Sequence, residues 1–439
     1  MATTRTMAAG GGALWSRHGG RTFLRLWLGQ TVSAFGSHMS GLALGVWLFQ
    51  RTGSATPLAL TFACGYAPSI LLGPYAGALV DRLPRKVTLV AANAAQAAAT
   101  LAAWGLLLAG QLPAWGVYLL AASASAAGAF GEPALEASVV LLVPPAHLGR
   151  ANGLQSLGNG LANLLAPVAA GLLVARLGIA TVLLADMATF LVGALAALTV
   201  AIPNPAPVTR GGNIRRALRA DLRAGWRALR ATPGLTPFLL LYAAFSFTNM
   251  STVVLLTPTV LARGGDAAVL GLVFAAFGAG GLVGGAAATA WRGPRARARA
   301  VCGGIALSGL LSQVLFGLAS GPPLWLAASF ANGVLAPLLF GYTRAVWQAS
   351  VAPAVQGRVF AWRTLATQAA FLAAGLLAGP LADRIFRGLL EPAWGLPPGG
   401  GYSLMFVAFG ALSTLVGLAS LASPAVRALD AAPVAPQGA

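Results

Sequence analysis

Apolar residues run along this chain in stretches of about twenty, the length that crosses a bilayer core as a helix, and short polar, charged or Gly/Pro-containing connections separate them. The runs lie near 23–49, 57–80, 87–109, 114–140, 152–174, 180–201, 236–261, 268–291, 301–319, 323–347, 360–382 and 402–423. The pattern predicts an all-α, polytopic membrane protein with twelve transmembrane helices.

The pattern repeats. A shift of 208 residues pairs Gly73 with Gly281, Gly77 with Gly285, Gly149 with Gly357 and Arg150 with Arg358. The same shift pairs Gly171 with Gly379 and Arg176 with Arg384. Matches at equivalent helix ends under one offset predict two pseudo-symmetric six-helix bundles, an architecture that sets a substrate site between parallel repeats. The expected organisation is a cytoplasmic segment at 1–22, a first bundle at 23–203, a linker at 204–235, a second bundle at 236–424 and a disordered tail at 425–439. Within the linker, Arg215, Arg219, Arg223 and Arg227 recur every fourth residue beside Leu218, Leu222, Trp226 and Leu229. This reads as an amphipathic helix on the inner leaflet, its arginines toward lipid phosphates.

Composition sharpens the picture. The 439 residues are 57% hydrophobic and 8% charged, with mean hydropathy +0.77. A soluble protein of this length would lack the charge to cover its exterior. The net charge of +19 suggests nucleic acid until its placement is examined. Of 28 basic residues, 22 fall on connections of one face, five (Arg51, Arg176, Arg263, Arg384, Arg387) on the other, and Arg344 within a span. That asymmetry is the positive-inside pattern. It places both termini in the cytoplasm and assigns the basicity to orientation and anionic lipid, not nucleic acid. Lys86 is the single lysine, and the Arg-, Ala- and Gly-rich composition is that of a GC-rich bacterial genome, so the expected location is a bacterial inner membrane. Cys64 and Cys302 stand in separate apolar spans, and three His with nine acids form no metal-ligand spacing. The first 20 residues lack the apolar core of a cleavable signal peptide. No cofactor is expected.

The segment Gly73-Pro-Tyr-Ala-Gly77-Ala-Leu-Val-Asp81-Arg82-Leu-Pro-Arg85-Lys86 joins small residues four apart, which let membrane helices approach closely, to an abrupt charge cluster. This segment resembles the signature loop between helices 2 and 3 of the major facilitator superfamily. Over essentially its whole length the chain resembles that superfamily's twelve-helix drug- and siderophore-exporting branch, related to macrolide efflux and enterobactin export proteins. The resemblance implies that Asp81 engages a helix end in the other half while Arg82 joins a charge relay, with Gly73, Gly77, Arg85 and Lys86 completing a conformational latch. At the position 208 after Asp81 stands Thr289, so the latch is expected on one side only. Further similarity lies in Gln30-Thr-Val-Ser-Ala-Phe-Gly36-Ser37 and in Phe130-Gly-Glu132-Pro133. Ala166-Pro167-Val-Ala-Ala170-Gly171 resembles the antiporter motif of helix 5, with Ala at two of its glycine positions.

Ionisable groups inside spans cost about 2.5–3.5 kcal/mol each at a helix centre, so each calls for a reason. Glu132 and Glu136 stand one turn apart on one helix face. Two carboxylates in a low-dielectric site do not both ionise cheaply, which is the chemistry of a proton-carrying exporter; pairing of Glu136 with Arg150 is the structural alternative. Asp186, two turns into the sixth span, is the third proton-coupling candidate. Arg344 stands 208 residues after Glu136 and either pairs across the halves or snorkels to the surface. His38, Gln30, Asn249 and Gln348 are candidate substrate or gating groups. The expected function is secondary active export of a bulky amphipathic molecule (drug, antibiotic or siderophore) by proton antiport and alternating access, in a monomer. A lipid or lysophospholipid flippase, an importer and a non-transporting sensor are the alternatives. No GxxxxGK[ST] loop exists to bind ATP.

Overall fold

A computed structural model of the chain describes residues 20–80, 83–203, 214–291, 293–352 and 355–431. The protein is all-α, and among the described residues twelve helices are long and apolar enough to cross a membrane. The first six are α1 (Gly20–Thr52), α2 (Ala55–Val80), α3 (Arg85–Leu108), α4 (Ala114–Leu142), α5 (Leu148–Leu177) and α6 (Ile179–Thr199). After a linker helix, α7 (Ile214–Ala231), come α8 (Leu235–Ala262), α9 (Ala267–Ala290), α10 (Arg297–Leu318), α11 (Pro322–Ser350), α12 (Gln356–Ala393) and α13 (Gly400–Ala422). A short helix, α14 (Pro424–Ala431), ends the described chain. Proline and glycine set several ends. Pro84 and Pro113 precede α3 and α4, and Gly178 at φ +79° turns the chain from α5 into α6 within one residue, a conformation that only glycine adopts freely.

Contacts divide the chain into two compact units. Unit 1 comprises Met1–Leu48 and Cys64–Thr209; unit 2 comprises Phe49–Ala63 and Arg210–Ala439. The repeat keeps all of α2 in the first half, whereas the contacts group its first two turns with unit 2. In unit 1, α3 lies along both α6 and α4. A core of Leu26, Val80, Leu89, Ala134 and Ala197 fills one region, and Leu44, Leu48, Leu112 and Leu183 fill another. In unit 2, α9 packs along α11 over the greatest length. There a Cβ on Gly280 or Gly284 would lie 2.2 Å from the carbonyl of Phe330 or Val334. Gly333 answers from α11, its Cβ position 2.1 Å from the Phe277 carbonyl. The close approach predicted from Gly281 and Gly285 thus falls one residue earlier, since both of those have open space over their α-carbons, as does Gly73.

Two stretches widen into π-helix. In α10 it spans Gly309–Val314. The Thr414 hydroxyl takes the Ala306 carbonyl, and Gly309 and Gly410 bring two backbones together. In α12 it spans Leu381–Leu390 and carries the helix past the end at 382 read from hydropathy. Linker helix α7 packs part of its apolar side on protein: Leu229 is fully buried, Trp226 lies 4.9 Å from Trp362 of α12, and the Trp362 indole donates to the Leu222 carbonyl at 2.8 Å. Arg223, Arg227 and Arg230 remain exposed.

Candidate functional site

Unit 1 holds an open cavity of about 560 Å³ lined by α1, α3, α4, α5 and α6. Its wall is unusually polar for a membrane bundle. Gln30 and His38 reach it from α1, Asn93 and Gln96 from α3, Glu132 and Glu136 from α4, and Gln155 and Asn159 from α5. A fixed network organises one side. The Ser33 hydroxyl donates to Asn93 Oδ1 at 3.0 Å, Asn93 Nδ2 donates to the Leu89 carbonyl at 2.9 Å and to Gln30 Oε1 at 3.4 Å, and Gln30 Nε2 donates to the Gly193 carbonyl at 3.3 Å. This joins α1, α3 and α6 through amides whose hydrogen bonds would otherwise be missing in an apolar environment. Gly193 is required there, because a Cβ would sit 2.5 Å from Asn93 Oδ1.

Glu132 and Glu136 share the α4 face as predicted, and both are exposed on the cavity wall. Among the described residues Glu136 forms no ion pair with Arg150. The most deeply buried of the three candidate carboxylates is Asp186 of α6. It is 2% exposed, and its Oδ1 has no hydrogen-bond partner. The nearby hydroxyls of Ser40 and Thr189 spend their hydrogens on the carbonyls of Ser37 and Asp186. Gly36 of α1 gives the carboxylate its space, since a Cβ there would lie 2.7 Å from Oδ1. Asp186 stands behind the wall rather than on it. Pro167 and Gly171 are buried in α5, where Ala166 and Ala170 pack on Met39 and Ala43 of α1.

The predicted latch residues divide. Asp81 and Arg82 lie outside the described residues, and Gly77 lies within helical α2. Arg85 is 8% exposed and donates to the Ala137 carbonyl at 2.9 Å; Lys86 donates to the Leu198 carbonyl. Both cations thus sit on carbonyls near the C-terminal ends of α4 and α6, where a helix dipole favours positive charge. Arg344, Asn249 and Gln348 belong to unit 2 and not to this cavity. Arg344 is exposed on α11, the Asn249 carbonyl accepts from Thr252, and the Gln348 carbonyl accepts from Gln356. Cys64 and Cys302 are free, the second buried.

Sequence reading missed the amides Asn93, Gln96, Gln155 and Asn159. The signal was present: each is an amide side chain within an otherwise apolar or small-residue run. It also missed Asp383, just past the predicted end of its span, which accepts hydrogen bonds from the start of α2.

Macrolide efflux protein A of Streptococcus pyogenes is 27% identical over 372 residues, 83% of this chain and 90% of that one. Multidrug efflux pump Tap of Mycobacterium tuberculosis is 28% identical over 420 residues, 92% of this chain and 94% of that one. Among solved structures, nucleoside transporter NupG aligns with a TM-score of 0.71 at 11% identity, covering 92% of this chain and 100% of that one. An inward-facing bacterial homologue of the lysosomal transporter Spinster aligns at 0.66 and 14% identity, covering 94% and 97%. These two share the fold. The family model of the Major Facilitator Superfamily matches residues 26–374. With its twelve membrane-spanning helices, the chain belongs to the Major Facilitator Superfamily, a family of multi-pass membrane transporters.

Proposed function

We propose that this protein is a secondary active efflux transporter that exports a bulky amphipathic small molecule by proton antiport, working as a monomer in a bacterial inner membrane with both termini cytoplasmic. One observation carries the reading: a polar cavity walled by Glu132 and Glu136 backs onto a buried carboxylate, Asp186, one of whose oxygens has no hydrogen-bond partner. A cavity of about 560 Å³ suits a drug-sized molecule. Its amides offer donors and acceptors in many orientations, and the two glutamates attract a cationic group. Asp186 supplies what coupling needs, a place in low dielectric where a proton can reside and whose loss alters the packing of α6 on α1. Proton occupancy then biases the conformational population, as any differentially bound ligand does. The relatives named for macrolide and multidrug efflux support a drug as the exported molecule.

Purified protein in vesicles, given a proton gradient and labelled erythromycin, tests this directly. Uptake against the drug gradient that collapses with a protonophore is expected. Asp186→Asn should retain erythromycin binding and lose gradient dependence. Erythromycin transport indifferent to the gradient would remove proton coupling. Absence of transport of erythromycin and of a cationic dye would remove drug export.

A further inference from the structure

Linker helix α7 carries six arginines and one acid, Asp221, in 18 residues. It joins the spans α6 and α8, so it lies at the membrane face where α8 begins; α12, four spans later, begins at the same face. Both helices belong to unit 2. Backbone contact seats one on the other, since a Cβ on Gly225 would lie 2.5 Å from the Arg358 carbonyl. Along their seam runs a niche of about 450 Å³, lined by Leu222, Arg223, Trp226, Arg227 and Trp362. Its apolar part is Leu222 and two indoles whose ring centroids are 4.9 Å apart. Its polar part is Arg223 and Arg227, one turn apart on α7 and both exposed. A third guanidinium, that of Arg230, lies over the Trp226 ring at 4.8 Å. Among the described residues none of these three arginines forms an ion pair, and no acid lines the niche.

We propose that this niche binds one anionic glycerophospholipid: Arg223 and Arg227 hold its phosphate oxygens, and Leu222 with the two indoles holds the start of its acyl chains. The inference goes beyond the transport reading and does not depend on it. Like charges one turn apart repel on a helix, and an anion set between them removes the repulsion. A guanidinium matches phosphate oxygens with two parallel hydrogen bonds, and an indole suits the headgroup level, where its apolar body and polar edge both find partners. A free phosphate would use the cations and leave the indoles in water. A bare hydrocarbon would use the indoles and leave the cations without a counter-ion. A lipid phosphate satisfies both halves of the niche. An interfacial helix ordinarily lays its whole apolar face into the acyl layer. Here Leu229 of that face is fully buried in protein, so what α7 offers to lipid is a bounded niche. Binding is therefore saturable at one place, unlike the diffuse attraction of a basic stripe.

Native mass spectrometry of the full chain in detergent, titrated with phosphatidylglycerol, tests this and needs no transported substrate. One phosphatidylglycerol should bind well ahead of any second, and phosphatidylcholine should bind roughly tenfold more weakly. Arg223→Gln combined with Arg227→Gln should weaken phosphatidylglycerol roughly tenfold. Arg295→Gln combined with Arg297→Gln removes the same charge from two exposed residues where α10 begins, at the same face, and should leave the affinity unchanged. Equal losses in the two pairs would reveal diffuse attraction and overturn the site. Trp226→Ala should weaken phosphatidylglycerol while keeping its preference over phosphatidylcholine; unchanged affinity in that variant removes the indoles from the site and overturns the proposal as stated. Glycerol 3-phosphate in excess should not displace the lipid. Displacement would assign the niche to a soluble phosphate and overturn the lipid assignment. If the Arg223/Arg227 variant does not fold, Arg227→Gln alone against Arg297→Gln makes the same comparison: a roughly threefold loss is expected in the first only, and equal affinities overturn the proposal.

Discussion

Asp186 and Asp383 are both aspartates of membrane-spanning helices, and their surroundings differ sharply. Asp383 is saturated with donors, whereas Asp186 has a buried oxygen with none. Glycine plays a comparable double part. Gly193 stands where a Cβ would be 2.5 Å from Asn93 Oδ1 and 3.1 Å from Ser33 Cβ, whereas Gly73 has open space above it. Gly193→Val should therefore lower stability in detergent by about 1–3 kcal/mol through overpacking, with loss of the Ser33–Asn93–Gln30 network. Gly73→Ala should shift it by no more than about 0.5 kcal/mol. Thermal unfolding of the two variants side by side checks the contrast, and equal midpoints would refute it.

Among the elements, α9 and α11 form the tightest pair, and their contact depends on which glycines face inward. Small residues four apart, at 281 and 285 as at 73 and 77, predict a close interface, and α9 has one. The helix presents Gly280 and Gly284 to α11 instead. The sequence could not choose between adjacent glycine pairs, because Gly280-Gly281 and Gly284-Gly285 are equivalent by residue type and only the rotation of α9 distinguishes them. Gly280→Leu should force α9 from the Phe330 carbonyl and sharply reduce the yield of folded protein, while Gly281→Leu should be accepted. Size-exclusion profiles of both in detergent would decide the matter. The linker makes a related point. A stripe of Leu and Trp beside a stripe of Arg predicts an amphipathic helix, and α7 is one. Whether its apolar side meets lipid or protein depends on Trp362 and Gly225, the latter set against the Arg358 carbonyl, and no local pattern encodes that.

At the scale of the whole molecule, the charge asymmetry of the connections makes a testable statement about orientation. Green fluorescent protein fused after the last residue should fluoresce, and alkaline phosphatase fused at the same point should be inactive. Active phosphatase there would invert the topology. Twelve spans, the all-α class and membership of the transporter family were all readable from the chain. Each rests on hydropathy, which acts residue by residue through transfer into lipid, and on motifs contiguous in sequence. Half of the cavity was also readable, since Gln30, His38, Glu132 and Glu136 stand out as polar groups in apolar runs. Tertiary structure alone decided the rest. It left the glutamates exposed on the cavity wall and buried Asp186 behind it, and gathered four unremarked amides around the same space. It also brought Asp383 to a helix that begins more than three hundred residues earlier in the chain. Burial of a side chain and the partner of a hydrogen bond depend on which helices become neighbours, and a one-dimensional pattern fixes the length and polarity of helices without fixing their rotation or their contacts.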